Sequence, residues 1–290
     1  HMMKFALLCS GSKGNSFLLT DETVHILVDC GGTRAYLQKA FAQLEIGVED
    51  LDAVLLTHTH TDHIGQLKLV KDRPLYAPTD LPYPSVLVQA DHSFMIGHVT
   101  VMPIRLSHDA PHTVGYVFTT WREKLVYITD TGFVREKYIS LLQGADYVIL
   151  ESNHDVQMLM HTHRPQYLKA RIAGDEGHLC NEDCASILKR IVTGKTRMII
   201  LAHLSQQANT RAKALQVSRE ALSTLGEKNA NLTLAAAGQF EMIRGGADEK
   251  VDLGSCWCTF DMESDFDDAA VSTSAIRSHI DAFDSGRNGR

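Results

Sequence analysis

Three imidazoles and a carboxylate fall within the six positions His58-Thr59-His60-Thr61-Asp62-His63. That donor set suits a divalent cation. Imidazole nitrogen and carboxylate oxygen accept zinc or manganese, iron is also admissible, and no thiol in the cluster calls for a softer metal. The run 51–56 ahead of it is apolar, of strand length and bounded by polar residues. Alternate residues of an extended chain share a face, so His58 and His60 can point the same way. Asp62 and His63 then stand where the chain turns into 64–70, whose apolar periodicity predicts a helix start. A polar surface turn is the bland account of such a stretch, but four ligand-type residues at this spacing favour a metal site.

Other ligand-type residues also close apolar runs. Asp29 ends the run 25–29, His108 follows the alternating run 99–106, Asp130 follows 126–129, and His203 follows 198–202. Taken singly, each is most simply a capping or surface residue. Taken with the histidine cluster they supply enough donors for two ions, and strand ends along one edge of a sheet are where open α/β folds build sites.

The elements that must carry these residues alternate between strand and helix. Strands are expected at 3–8, 17–20, 25–29 and 51–56, with a helix over 33–44. Residues 75–129 read as strand-rich, with a hairpin pairing 114–120 with 125–129. A second half follows: strands at 147–150 and 198–202, helices near 166–172, 182–191 and 207–225, and short strands around 232–235 and 240–243. That rhythm implies a layered α/β fold. After Gly246 the composition turns to Asp, Ser, Ala and Gly, so residues 3–246 are expected to form the catalytic domain. Residues 247–290 are expected to be a flexible acidic tail with one short helix near 274–283. Ten acidic against four basic residues from Ala247 onward carry −6 of the formal −7, leaving −1 for the body, which does not argue against an anionic substrate. His1-Met2 ahead of Met3 reads as an added leader. No export-type segment follows it and no apolar run reaches membrane-spanning length, so a cytoplasmic location with reduced thiols is expected.

Asp29, His58-x-His60-x-Asp62-His63, His108, Asp130 and His203, in that order, resemble the five successive motifs of the metallo-β-lactamase fold family. The flanking stretches resemble its YycJ/WalJ-like branch, metallohydrolases linked to DNA exonuclease activity. They are Ser10-Gly11-Ser12-Lys13-Gly14-Asn15-Ser16, Glu151-Ser152-Asn153-His154-Asp155, Gly177-His178-Leu179-Cys180-Asn181 and Leu201-Ala202-His203-Leu204-Ser205. Lys13 and Cys180 depart from the pattern, standing where small serines are more usual. The resemblance implies a four-layer αβ/βα sandwich. It further implies that His58, His60 and His108 hold one ion, that Asp62, His63 and His203 hold the other, and that Asp130 bridges them. Asp62 is thereby also given a part in catalysis. Two such ions would share a hydroxide suited to in-line displacement at phosphorus.

Asp29 is expected to accept a hydrogen bond from a ligand imidazole, although capping of Gly31 and Gly32 accounts for it equally well. RNA-processing relatives pair a strand-end Glu with a Gly-His motif, so His178 is assigned a general-acid or phosphate-binding role with Glu151 orienting it. His154 is a substitute for either. The Gly/Ser turn offers Ser12, Gly14 and Asn15 to a phosphate. Arg164 and Arg171, seven apart on an expected helix, are offered to a nucleic-acid backbone. A separate zinc on His178, Cys180 and Cys184, or on Cys256 and Cys258, lacks a completed set of four ligands. These readings point to a binuclear phosphodiesterase, a DNA exonuclease first. The alternatives are a hydrolase of small esters, lactones or thioesters on the same scaffold, and a non-enzymatic nucleic-acid-binding relative.

Overall fold

The computed structural model describes residues 2–226 and 232–247, and the backbone of 257–259. Residues Lys4–Cys9 (β1), Ser16–Thr20 (β2), His25–Val28 (β3), Ala53–Leu55 (β4), Leu75–Ala77 (β5), Val86–Leu87 (β6) and Ile243–Gly246 (β14) form one sheet in the order β14-β1-β2-β3-β4-β5-β6. The second sheet comprises Phe94–Ile96 (β7), Val99–Arg105 (β8), Val114–Thr119 (β9), Lys124–Ile128 (β10), Tyr147–Glu151 (β11), Met198–Ala202 (β12), Thr233–Ala236 (β13) and Trp257–Thr259 (β15). Its order is β15-β13-β12-β11-β10-β9-β8-β7.

Side chains alternate between two faces along each strand, and here both faces are buried. Phe5 and Leu7 of β1 join Leu125 and Tyr127 of β10 and Ile200 of β12 in the core between the sheets. Their neighbours Ala6 and Leu8 pack outward with Leu37, Ala40 and Phe41 of helix α1 (Arg34–Gln43). Helices α2 (Thr61–Ile64) and α3 (Leu67–Val70) complete that outer layer. Across the molecule Val126 and Ile128, with Ile199 and Leu201, pack against helices α4 (Ile139–Leu142), α7 (Asn181–Ile191) and α8 (Arg211–Ser223). The result is the expected four-layer αβ/βα sandwich. Two short helices, α5 (Val156–Met160) and α6 (Gln166–Ala173), lie between β11 and α7. Among the described residues no helix is long and apolar enough to cross a membrane.

Strands β3, β4 and β5 run parallel, as do β10, β11, β12 and β13. Their carboxyl ends are therefore where the loops bearing Asp29, His58, Asp130, Glu151 and His203 emerge. The buried Tyr116 hydroxyl donates to the Leu56 carbonyl at 2.6 Å, tying the end of β4 to the facing sheet two residues ahead of His58.

Several elements differ from expectation. The helix foreseen over 64–70 is two short helices divided at Gly65 and Gln66. Thr210 caps α8 by accepting from the Lys213 amide at 3.1 Å, so that helix starts at Arg211 rather than 207. Arg164 lies outside α6, because Pro165 disfavours helical backbone in the residue before it, and it does not share a helical face with Arg171. The last strand of the first sheet is Ile243–Gly246 rather than 240–243. Trp257–Thr259, assigned above to the tail, pair antiparallel with β13. The helix expected near 274–283 lies outside the described residues.

Candidate metal centre

Three site residues end their strands in left-handed backbone: Asp29 (φ 59°), Asp130 (φ 57°) and His203 (φ 54°). Asp, Asn and His tolerate this region best, yet each instance still costs about 1–3 kcal/mol and persists only where surroundings enforce it. The cluster turn is fitted as closely. The Asn15 amide donates to the Asp62 carbonyl at 2.8 Å and the Cys30 amide to the His63 carbonyl at 2.8 Å. A β-carbon on Gly31 would lie 1.7 Å from the Asp62 carbonyl oxygen, so only glycine lets this turn sit against the 29–32 loop.

The donor atoms meet in four overlapping groups, two of which divide six of the residues three and three. Nitrogens of His58, His60 and His108 lie within 4.8 Å of one another, and so do donor atoms of Asp62, His63 and His203. Asp130 lies between them: its Oδ2 is 3.0 Å from His63 Nε2, and its Oδ1 is 3.5 Å from His203 Nε2 and 3.7 Å from His108 Nε2. The other two groups cut across these: His58, His63 and Asp130 form one, and Asp130, Glu151, His178 and His203 the other.

Buried carboxylates orient the rings. Asp29 Oδ2 lies 2.7 Å from His63 Nδ1 and accepts from the Thr57 hydroxyl at 2.8 Å, while Oδ1 accepts from the Thr57 amide at 2.9 Å. With Nδ1 engaged, His63 turns Nε2 toward the donor cluster, so Asp29 pairs with an imidazole rather than capping the Gly31–Gly32 turn. The Thr57 hydroxyl also contacts His58 Nδ1 at 2.9 Å. Glu151, fully buried, accepts from the amides of Asp130, Thr131 and Leu179. Its Oε2 lies 2.7 Å from His203 Nδ1 and 3.0 Å from His178 Nδ1, so it orients the His203 ring as well as the expected His178.

Without cations these groups share protons unevenly. Burial opposes charge on His63 and His203, but Asp130, with Asp29 beside the first and Asp62 and Glu151 beside the second, outweighs it; His63 is raised well above its ordinary value and His203 is pushed up to about 10. Burial and the charge on His63 push His58 down to about 2. Asp130 is held well below the carboxylate range, because His203 and His63 outweigh its burial.

His58 Nε2, His203 Nε2 and Asp130 Oδ2 are buried with no aligned hydrogen-bond partner. Such an orphan costs about 1–3 kcal/mol, and native proteins hold few of them. Three orphans at one point, all metal-binding atoms, fit a pair of divalent cations.

Other expected residues have different surroundings. His154 is buried, with Nδ1 3.1 Å from Asn153 Oδ1 and its backbone bridged to Cys180, and it belongs to none of the donor groups. In the Ser10 to Ser16 turn the amides of Gly11, Lys13, Gly14 and Asn15 already have acceptors within the chain. Asn15 instead uses Nδ2 on Asp62 Oδ2 at 3.2 Å. Arg171 reaches the centre through an ion pair with Asp109, whose Oδ1 is 3.5 Å from His60 Nε2 and 3.4 Å from His108 Nε2. Cys180 and Cys184 are buried free thiols outside every donor group. Sequence reasoning gave no role to Thr57, Asn153 or Asp109. Thr57, Asn153 and Asp109 each adjoin a candidate histidine, His58, His154 and His108, and that adjacency was the signal available.

The family model described as "Beta-lactamase superfamily domain" matches residues 25–203. The chain is 34% identical over 242 residues to "Exodeoxyribonuclease YycJ" of Bacillus anthracis, covering 77% of this chain and 90% of that one. The same identity and coverage relate it to "Exodeoxyribonuclease WalJ" of Streptococcus pneumoniae. Among solved structures, the metallo-β-lactamase fold protein YhfI from Bacillus subtilis superimposes with a TM-score of 0.64 at 19% identity, over 84% of this chain and 100% of that one.

Proposed function

Because this chain belongs to the β-lactamase superfamily and, within it, to the family of the YycJ and WalJ exodeoxyribonucleases, we propose that it is a binuclear metal-dependent phosphodiesterase that digests DNA from an end. The observation carrying this reading is the convergence of two three-residue donor sets on one rim, with Asp130 between them. His58, His60 and His108 would hold one ion, Asp62, His63 and His203 the other, and Asp130 is within reach of both. The all nitrogen and oxygen donor set favours zinc or manganese. When bound, two such ions would supply Lewis acidity toward phosphoryl oxygens and would lower the pKa of water toward neutrality.

The chain's own residues do the rest. With Nδ1 turned to Glu151, His178 keeps Nε2 for substrate, and its ring lies 5.3 Å from that of His108 and 5.2 Å from that of His203. Burial opposes its charge, yet Glu151 raises it above the ordinary histidine value, which suits a group that gives a proton to the leaving oxygen. Arg171, exposed beside Asp109, supplies a cation at the rim for a neighbouring phosphate.

The test is turnover by metal-loaded protein of end-labelled DNA, a bis-aryl phosphodiester and a lactone panel. Loss of label from DNA termini with cleavage of the diester is expected. Lactone turnover with intact DNA would reverse the assignment, and DNA binding without turnover of any substrate would make the chain a binding protein.

A further inference from the structure

A cavity of about 430 Å³ lies between α1 and the loop joining β13 to β14. One wall is a single helical face, Tyr36, Lys39 and Gln43, and the other is Arg211, Phe240 and Glu241. The Tyr36 and Phe240 rings meet at 5.1 Å and 58°, so they do not cover each other's faces, and Phe240 is 39% exposed. Phe240 thus leaves part of an aromatic face open within a cavity that cations also line. Arg211 is held in position: its guanidinium fills the space a side chain at 238 would need, and it pairs with Glu241 at 2.7 Å. Arg244 donates to the Gln43 carbonyl at 2.9 Å, adding a third cation to the rim.

The loop that forms the second wall is tied to the rim that carries the donors. Gln239, next to Phe240, accepts from the Lys13 amide and donates to the Gly14 carbonyl, both at 2.9 Å. Ser10, at the start of that turn, accepts from the His203 amide at 2.8 Å. On the other side the Phe240 ring runs along Gly32, whose neighbour Gly31 touches the Asp62 backbone. Two contact steps thus link this aromatic wall to ligands of the second donor set.

We propose that this cleft is a nucleotide subsite, in which one base of a single strand stacks on Phe240 while Lys39 and Arg211 face the adjoining phosphates. The assignment rests on the DNA reading above. Its volume lies within the range of small-molecule sites of about 300–1,000 Å³. Its chemistry, an aromatic platform flanked by cations, is that of sequence-tolerant single-strand binding. Gln43 and Glu241 stand where base edges would fall, without enough donors to read one base.

Fluorescence anisotropy of an end-labelled, phosphorothioate-linked single-stranded oligonucleotide on the metal-loaded protein tests this without turnover. Phe240→Ala should weaken binding about 5- to 150-fold, the loss of one stacked base, and Phe240→Tyr should restore it, with metal content and melting temperature confirming the fold of each variant. An oligonucleotide abasic at the stacked position should bind wild type as weakly as the intact one binds Phe240→Ala. Lys39→Ala should lower the salt dependence of log affinity by about 0.7, one single-strand phosphate contact. Unchanged affinity in both Phe240→Ala and Lys39→Ala overturns the subsite, even if wild type digests DNA. Failure of wild type to bind overturns the subsite and the DNA reading together. Phe240-dependent binding with no digestion of ordinary DNA supports the subsite and removes the exonuclease assignment alone.

Discussion

Replacing Asp29 by Asn perturbs the metal centre through one proton. The carboxylate is fully buried, and asparagine tolerates its left-handed backbone as well as aspartate does, so the fold has no steric reason to change. The Thr57 amide, 2.9 Å from Oδ1, requires an acceptor there and fixes the orientation of the new side chain. The Asn amide nitrogen then faces His63 Nδ1, which lies 2.7 Å from the present Oδ2. Two donors cannot face each other, so the His63 proton moves to Nε2, the atom the site needs for a cation. Loss of such a supporting contact lowers metal affinity about 10- to 100-fold, about 1.4–2.7 kcal/mol. Competitive titration against a chelator of known affinity reads this as one weakened ion per chain, with the second ion retained. Wild-type affinity for both ions in a folded Asp29→Asn variant would refute the coupling of this carboxylate to the site.

Asp130→Ala removes the group between both donor sets and should abolish most turnover along with metal; turnover by the demetallated variant would defeat the mechanism. His178→Ala should lower the maximal rate by about 10²–10⁴-fold, the usual range for a general acid, while metal content stays at the wild-type level. A parallel fall in metal would make His178 a structural support. Metal loading should release protons, because His203, pushed up to about 10, and His63, raised well above its ordinary value, hold protons at neutral pH that a cation must displace. Apparent affinity should therefore rise as pH rises toward 10 and weaken as it falls, with release read by calorimetry in buffers of differing ionisation enthalpy; no proton release near pH 7 would contradict this.

The donors were legible because their signal is local. The histidine cluster is contiguous, and Asp29, His108, Asp130 and His203 each close an apolar run that folds as a strand, so type and position could be read together. The groups that orient them were less legible, since their partners are distant in sequence. Glu151 meets His203 across 52 residues, and Arg171 meets Asp109 across 62. Asn15 contacts Asp62 from 47 residues away, and in the Gly/Ser turn the amides of Gly11, Lys13 and Gly14 bond to Asn15, Gln239 and Gly11. The strand expected around 240–243 lies at Ile243–Gly246 instead, and a side chain at 245 would strike the Phe5 ring, so glycine is what allows β14 to lie beside β1 there.

Diffraction from crystals of the metal-loaded protein, collected at the absorption edge of the bound metal, tests the central claim most directly. Two anomalous peaks are expected, one among His58, His60 and His108 and the other among Asp62, His63 and His203, with Asp130 touching both. A single peak, or peaks away from these side chains, would contradict the account.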